Sequence, residues 1–426
     1  MKYVWAILVL SVIIIIHELG HFIIAKASGV KVVEFSLGMG PRLIKFTKGG
    51  TMYSLKLFLL GGSCQMLGED EENSEEGSFG SKSVWKRIAI IAAGPIANFV
   101  LAFVGAVILI GINGYDPAIV QNVEKDSSAY EAGLQDGDQI VKMNGTNIVF
   151  YSDYSMYLMF SEGEELELTV LRDGKKQEVV FTPDFVEEDV YQIGIYMDPA
   201  KPLISGVVDG YPAQVAGLKG NDKIISIDGV SCKSSDEVVE LVQKAEGKEV
   251  TIVVDRDGNE VTVKLTPNIV HRTYYDYGYY LSPDTIKCSP IDTIKYSFCQ
   301  VGSWIKTVFF SFRLLFSGQA GFNDLSGPVG IVTVIGDTVE ESKSYGALTV
   351  FLSIVTMGAF ISANLGVMNL LPIPALDGGR LIFLFIEAVR RKPVPKEKEG
   401  IVHFVGIVLL LMLSVAVLVN DIRKLF

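Results

Sequence analysis

The sequence predicts a multi-span α-helical membrane protein that crosses the bilayer about four times, with a small β-sheet at its cytoplasmic face and two α+β modules on the outer side. Three observations predict it: apolar residues gathered into four stretches, a long acidic middle, and basic residues concentrated in two loops. The 426 residues are 49% hydrophobic, with a mean hydropathy of +0.36, too apolar for an ordinary soluble chain. Length alone suggests two or three folding units.

The apolar residues concentrate in the first 27 positions, around 88–112, around 347–371 and at 401–419. Each stretch is close to the roughly 20 residues that a spanning helix needs, so spans are expected at 1–28, 85–112, 347–371 and 401–420. The first is read as retained helix rather than signal peptide, because its apolar run passes straight into His17-Glu18-Leu19-Gly20-His21 without a small-residue cleavage site.

Residues 113–290 hold about 15 Lys plus Arg against about 31 Asp plus Glu, a charge of about −16, which leaves about +4 for the rest of a chain whose total is −12. Lys31, Arg42, Lys45, Lys48, Lys56, Lys82, Lys86 and Arg87 lie between the first two spans, and Arg380, Arg390, Arg391, Lys392, Lys396 and Lys398 between the last two. Both loops are therefore expected in the cytoplasm and the acidic middle outside. Cys64, Cys232, Cys288 and Cys299 have no CxxC spacing, which argues against a disulfide framework; Cys288 with Cys299 is the only close pair on the outer side.

From 29 to 67 short runs of Val, Phe, Ile and Tyr are punctuated by Gly, as strands with turns at Gly38–Pro41 and Gly49–Gly50 would be. A membrane-associated sheet at the cytoplasmic face follows, since an open sheet edge cannot be left in lipid. Residues 68–84, with "GEDEENSEEGSFGSKS", read as a solvated acidic linker.

The outer region repeats itself. "SSAYEAGLQDGDQIVKMNGT" at 127–146 aligns with "GYPAQVAGLKGNDKIISIDGV" at 210–230, and each copy runs on through a helical stretch into an alternating strand and a charged turn. Two like modules in tandem are expected. Their A-G-L-x-x-x-D-x-I segment and their order of strands and helices resemble the PDZ family, over 117–184 and 202–267. PDZ modules bind extended segments by adding a strand to a sheet edge; here the modules either do that or act as a bulky screen, and the screen is favoured because nothing identifies a bound peptide. Residues 291–316 are apolar but interrupted by Lys295, Gln300, Lys306 and Arg313, as suits an amphipathic helix lying in the interface.

The strongest chemical signal is H-E-L-G-H at 17–21. His17 and His21, four apart on a helix, project from one face about 40° apart and can each give one nitrogen to a tetrahedral metal. Glu18 falls on an adjacent face, where it can act as general base on a metal-bound water. Such spacing arises by chance on surface helices. Inside a span each charged group costs roughly 2.5–3.5 kcal/mol on insertion scales, so function is the default explanation.

Two histidines leave a catalytic zinc one protein ligand short. His271, among exposed tyrosines, and His403, at the start of the last span, are read as surface or interfacial residues. Asp377 is the better candidate: it ends "NLGVMNLLPIPALDGG", where Pro372 and Pro374 break the helix and Gly378 and Gly379 permit an unusual path. The bland alternative is that Asp377 caps a helix beginning near Arg380. The segment 372–379 is expected to line a cavity at membrane depth.

Together, H-E-L-G-H, A-G-P-x-A-N at 93–98, the paired outer modules and N-x-x-P-x-P-x-x-D-G-G at 369–379 resemble the site-2 protease family, in its bacterial sigma-E-regulating type, over essentially the whole chain. The resemblance implies an intramembrane zinc metalloprotease with one Zn²⁺ on His17, His21 and Asp377 and with Glu18 catalytic. It implies that Asn364, Asn369, Pro372 and Pro374 hold an unwound substrate, and that the 31–67 sheet, including Gly38, Gly40 and Pro41, aligns it. It further implies substrates with a single unwindable transmembrane helix, such as anti-sigma factors, cut after an upstream site-1-type protease. The expected location is the bacterial inner membrane, with the active site toward the cytoplasmic side. No nucleic-acid partner is expected. The competing readings are a non-enzymatic PDZ scaffold and a metal transporter; the first leaves the intramembrane His, Glu and Asp unexplained, and the second lacks inverted repeats.

Overall fold

The computed structural model describes residues 2–69, 75–199 and 201–424, so residues 70–74 of the acidic linker lie outside it. Helix α1 (Lys2–Ala27) leads into strands β1 (Val32–Lys48) and β2 (Thr51–Met66), and α2 (Val84–Asn113) follows. The polar middle opens with β3 (Val120–Gln121), α3 (Ser128–Glu131), β4 (Gln139–Met143), β5 (Thr146–Asn147), α4 (Tyr151–Leu158), β6 (Leu166–Arg172) and β7 (Lys175–Phe181). It continues with β8 (Asp184–Gln192), β9 (Ile195–Met197), β10 (Ile204–Val207), α5 (Pro212–Val215), β11 (Lys223–Ile227), β12 (Val230–Ser231) and α6 (Ser235–Lys244). Strands β13 (Val250–Arg256), β14 (Asn259–Leu265), β15 (Asn268–Asp276) and β16 (Tyr280–Leu281) complete it. Helices α7 (Pro290–Phe316), α8 (Pro328–Ser342), α9 (Ala347–Leu370), α10 (Asp377–Arg390) and α11 (Lys396–Lys424) close the chain.

Two compact units result. One takes the chain up to Ala118 with Asn147–Phe160 and everything from Leu281; the other takes Ile119–Thr146 and Ser161–Tyr280. Among the described residues four helices are long and apolar enough to cross a bilayer: Tyr3–Ala27, Val84–Asn113, Ala347–Leu370 and Glu397–Lys424. Four helices of this length and composition mark a membrane protein.

In the first unit α2 is the central helix, packing on α1, α7, α9 and α10. Its contact with α9 is made of small residues: Ala102, Ala106, Ala359 and Ala363 are buried, and a Cβ on Gly105 would stand 2.6 Å from that of Ala359. Lipid tails supply no hydrophobic drive between helices, so close backbone approach and interhelical hydrogen bonds hold them. Ser362 accordingly donates to the Asn98 carbonyl at 2.9 Å. The helix over Pro290–Phe316 turns Val301, Trp304 and Val308 inward and leaves Phe298, Phe309 and Phe316 exposed, an amphipathic pattern.

The sheet of this unit is more folded than two strands imply. Val32–Leu37 is flanked by Gly62–Met66 on one side and by Met52–Leu55 on the other, and the latter segment pairs again with Arg42–Lys48. Gly49 and Gly50 form the expected turn between β1 and β2, whereas the chain at Gly38–Pro41 bends within β1, through register shifts with Gly38 and Gly40 at φ +84° and +90°. Glu34, buried in the middle of the sheet, accepts from Arg42 Nε at 3.0 Å and Nη2 at 2.7 Å and from Ser54 Oγ at 2.5 Å. The Arg42 guanidinium holds its carboxyl down at about 2, so it is a fixed negative charge at any physiological pH.

The second unit expresses the sequence repeat as two four-stranded sheets of matching order, β5-β4-β6-β7 and β12-β11-β13-β14. Each has one buried Asp held by one Arg: Arg172 on Asp138, and Arg256 on Asp222. Both arginines also donate to a glycine carbonyl, Gly133 and Gly217, at 2.8 Å. Such a carboxylate stripped of its partner costs about 3–5 kcal/mol, which explains why the pair recurs at the same place in both copies. His271 pairs with Asp189 on the β15–β8 ribbon. All four cysteines are free.

Candidate active site

The site is built by α1, α2 and the start of α10. A Cβ on Gly20 would stand 2.2 Å from the Ala93 carbonyl, and one on Gly94 would stand 2.3 Å from His21 Nε2. These two glycines therefore let α1 and α2 close to backbone contact and leave room for two imidazoles between them. Both imidazoles are buried. His17 Nε2 and His21 Nε2 lie 3.2 Å apart, and Asp377 Oδ2 lies 3.2 Å from the first and 3.4 Å from the second. Among the described residues these form the one group of three His, Cys, Asp or Glu side chains that could hold a metal ion.

Asp377 reaches this point through the break after α9. Pro372 and Pro374 offer no N–H, so the helical ladder stops at Leu371, and Ala375 takes φ +81°. A Cβ on Gly378 would stand 2.1 Å from the Leu371 carbonyl, so only glycine lets α10 start this close to the end of α9. Helix α10 begins at Asp377 itself, with Leu376 at the capping position, so the alternative of a cap for a helix starting near Arg380 does not describe this residue. Two ion pairs hold α10 down: Arg380 with Glu69, three residues past β2, and Arg87 of α2 with Glu387.

The other ring nitrogens are also engaged. His21 Nδ1 meets the Ile90 carbonyl at 2.9 Å, so it carries the proton and leaves Nε2 with its lone pair. His17 Nδ1 faces the Asn98 amide at 3.2 Å, while Asn98 Oδ1 is buried without a donor. Turning that amide end for end lets Nδ1–H donate to Oδ1, which removes the orphan and leaves Nε2 of His17 as a lone pair too.

A cavity of about 460 Å³ opens beside the three groups. Glu18 lines it, with its Cγ 3.1 Å from where a Cβ on Gly62 would be. The edge segment Gly62–Met66 forms one wall, and Glu34, Lys56, Glu69 and Arg380 bring charge to it. Asn364, Asn369, Pro372, Pro374, Gly38, Gly40 and Pro41 are not part of this lining. Asn364 keeps a buried Oδ1 without a hydrogen-bond partner on α9.

The pattern of Peptidase family M50 matches residues 5–413 of the chain. The chain belongs to peptidase family M50. Three relatives match along nearly their whole length. The zinc metalloprotease RasP of Geobacillus kaustophilus is 31% identical over 99% of this chain and 97% of its own. The regulator of sigma-E protease RseP of Escherichia coli is 31% identical over 98% of each chain. The regulator of sigma-W protease RasP of Bacillus subtilis is 30% identical over 99% of this chain and 98% of its own. A solved HtrA3 PDZ domain bound to a phage-derived ligand overlays 20% of this chain and 92% of that one, at 20% identity and a TM-score of 0.19.

The chain is thus an M50 zinc metalloprotease, of the site-2 protease type, and zinc is the cofactor expected of it. The residues present fit that ion. Zinc bonds of about 2.0–2.2 Å at a tetrahedral angle place neighbouring donor atoms about 3.3–3.5 Å apart, close to the three separations found here. Two ring nitrogens and a carboxylate oxygen converge on one point, Asp377 Oδ2 is buried with no well-formed hydrogen bond, and such a donor set suits a cation between them. H-E-L-G-H and Asp377 are legible in the sequence and the A-G-P-x-A-N run contains Asn98, but the contacts of the Ile90 carbonyl with His21, of Asn98 with His17 and of His403, read as interfacial, with the Ala375 N–H arise in the M50 peptidase only through packing.

Proposed function

We propose that the chain cleaves the transmembrane segments of single-span membrane proteins after a first cut outside the membrane, with anti-sigma factors or signal-peptide-type segments as substrates. One observation carries this reading: three convergent donor atoms, a neighbouring carboxylate and a strand edge all face one cavity beside the long apolar helix Tyr3–Ala27. His17, His21 and Asp377 hold the ion, which when bound supplies Lewis-acid polarisation of a water and of the scissile carbonyl. Glu18 takes the proton of the attacking water and delivers it to the leaving amine. Asn98 and the Ile90 carbonyl fix the tautomers of the two histidines.

A helical substrate offers its carbonyls already bonded, so it has to be unwound first. The segment Gly62–Met66 pairs with Val32–Leu37 and lines the cavity beside Glu18, which suits it to hold an extended substrate by strand addition. Asn364, Asn369, Pro372 and Pro374 belong to the same reading as supports for the unwound segment, with the bend at Gly38, Gly40 and Pro41 aligning the sheet. The basic loops support a cytoplasmic position for this face and an outer one for the two PDZ-like modules, 117–184 and 202–267, whose role in this reading is to screen out partners with large outer domains. A bacterial inner-membrane location and an upstream site-1-type protease complete the reading, supported by the sigma-regulating names of the two relatives.

Co-expression with single-span proteins tests it. Spans containing Gly or Pro should be cut faster than Leu-rich ones, and removal of residues 117–267 should permit cutting of an uncut precursor. Equal cleavage of stiff and breakable spans would remove the unwinding step, and unchanged selectivity after the deletion would remove the screen.

A further inference from the structure

His403 touches neither the metal-binding atoms nor the cavity, yet it is bonded to the turn that delivers Asp377. Between the end of α9 and the start of α10 the backbone donors are few, because residues 372 and 374 are proline. The Ile373 N–H reaches the Leu371 carbonyl at 2.7 Å, and the Leu376 N–H reaches the Ile373 carbonyl at 3.2 Å. The Ala375 N–H between them goes outside the turn, to His403 Nδ1 on α11 at 2.9 Å. Since an N–H must donate, Nδ1 is the acceptor and the ring proton of the neutral imidazole sits on Nε2, 3.7 Å from Glu399 Oε1 one turn back.

Ala375 is the residue at φ +81°, a conformation that a residue bearing a Cβ keeps only when its surroundings impose it. Two contacts from α11 bear on this turn. One is the His403 bond. The other is Gly406, on the same face of α11 one turn further, where a Cβ would stand 2.4 Å from Pro374 Cβ and 2.6 Å from its carbonyl oxygen. The His403 ring also lies 5.7 Å, centroid to centroid, from Phe383 of α10. Yet α11 is otherwise weakly embedded: 11% of its most apolar stretch is buried, against 33% for α1 and for α2. A side chain that is 15% exposed on so exposed a helix, spent on one backbone N–H two residues before a metal-binding carboxylate, has a positional use.

We infer that His403 is a positioning residue for the metal centre: it locks the Ala375 turn and so sets where the Asp377 carboxylate stands relative to His17 and His21. A metal site tolerates displacements of only about 0.5 Å in its supporting shell, so a freed turn weakens binding without changing any ligand. The inference rests on the proposed zinc site.

The test uses the full-length protein purified in detergent with its zinc. His403→Phe keeps the ring volume and removes the acceptor; His403→Asn places an oxygen near the former Nδ1. Competition with a chelator should show zinc held roughly tenfold less tightly in His403→Phe, the lower range for residues that support ligands. With a single-span substrate its kcat should fall while KM stays. His403→Asn should hold zinc close to the wild-type level, and the helical circular dichroism of chelator-stripped protein should be the same for all three. Wild-type zinc affinity in His403→Phe overturns the inference. So does equal weakening of both variants, or a loss of helical signal in the stripped Phe variant, since either reduces His403 to packing. If instead Asp377→Ala retains wild-type zinc, the site reading itself has failed, whatever His403 does.

Discussion

Asp377→Ala protein is expected to purify folded and to lose its zinc on dialysis against a mild chelator, with cleavage falling below detection. The reason is geometric: His17 and His21 on one helix give two donors, and the third comes only through the turn after α9. Loss of a supporting residue typically costs 10–100-fold in metal affinity, so loss of a ligand should cost at least about 100-fold. The fold should survive, because α10 stays tied by Arg380 with Glu69 and by Arg87 with Glu387. Zinc per chain by atomic absorption, beside a helical circular dichroism spectrum, reads both halves. Full zinc occupancy in this variant would mean that another residue completes the site.

Glu18→Gln should give the opposite pairing, a full complement of zinc and cleavage lower by about 10²–10⁴-fold. The amide has the shape of the carboxylate and cannot take a proton from water. It leaves His17, His21 and Asp377 untouched, so neither metal content nor the KM for a single-span substrate should move. The comparison of native and Glu18→Gln proteins in one co-expression assay therefore separates loss of the proton-transfer group from loss of metal. Zinc loss in Glu18→Gln would recast that glutamate as a ligand.

The parts of this molecule that were legible in the sequence are those whose physics is local. Four long apolar helices follow from bilayer thickness and composition. His17 and His21 follow from helix periodicity, and Asp377 stood out because the proline and glycine residues around it announce a broken path. The repeat at 127–146 and 210–230 announced two like modules, and the matching sheets each carry their Arg–Asp pair.

What stayed hidden depends on which surfaces meet. Nothing in the residues around Asn98 says that its amide meets His17 across α1 and α2, or that the Ile90 carbonyl receives His21. His403 looked like an interfacial histidine because its partner, a backbone N–H, has no sequence identity. The sheet was legible as strands, but its segment order was not: bends at glycines let Val32–Leu37 pair on both sides, and that choice places Gly62–Met66 along the cavity. Helix α8 went unread as well, since at 15 residues it is too short to register as a span.

One zinc ion is expected between the two imidazoles and the Asp377 carboxylate. Zinc K-edge absorption on the purified full-length protein addresses it directly. The account predicts one zinc per chain with only nitrogen and oxygen neighbours at about 2.0–2.2 Å. A sulfur neighbour at about 2.3 Å, as Cys64 in the cavity wall would give, or protein that takes up no zinc, would contradict it.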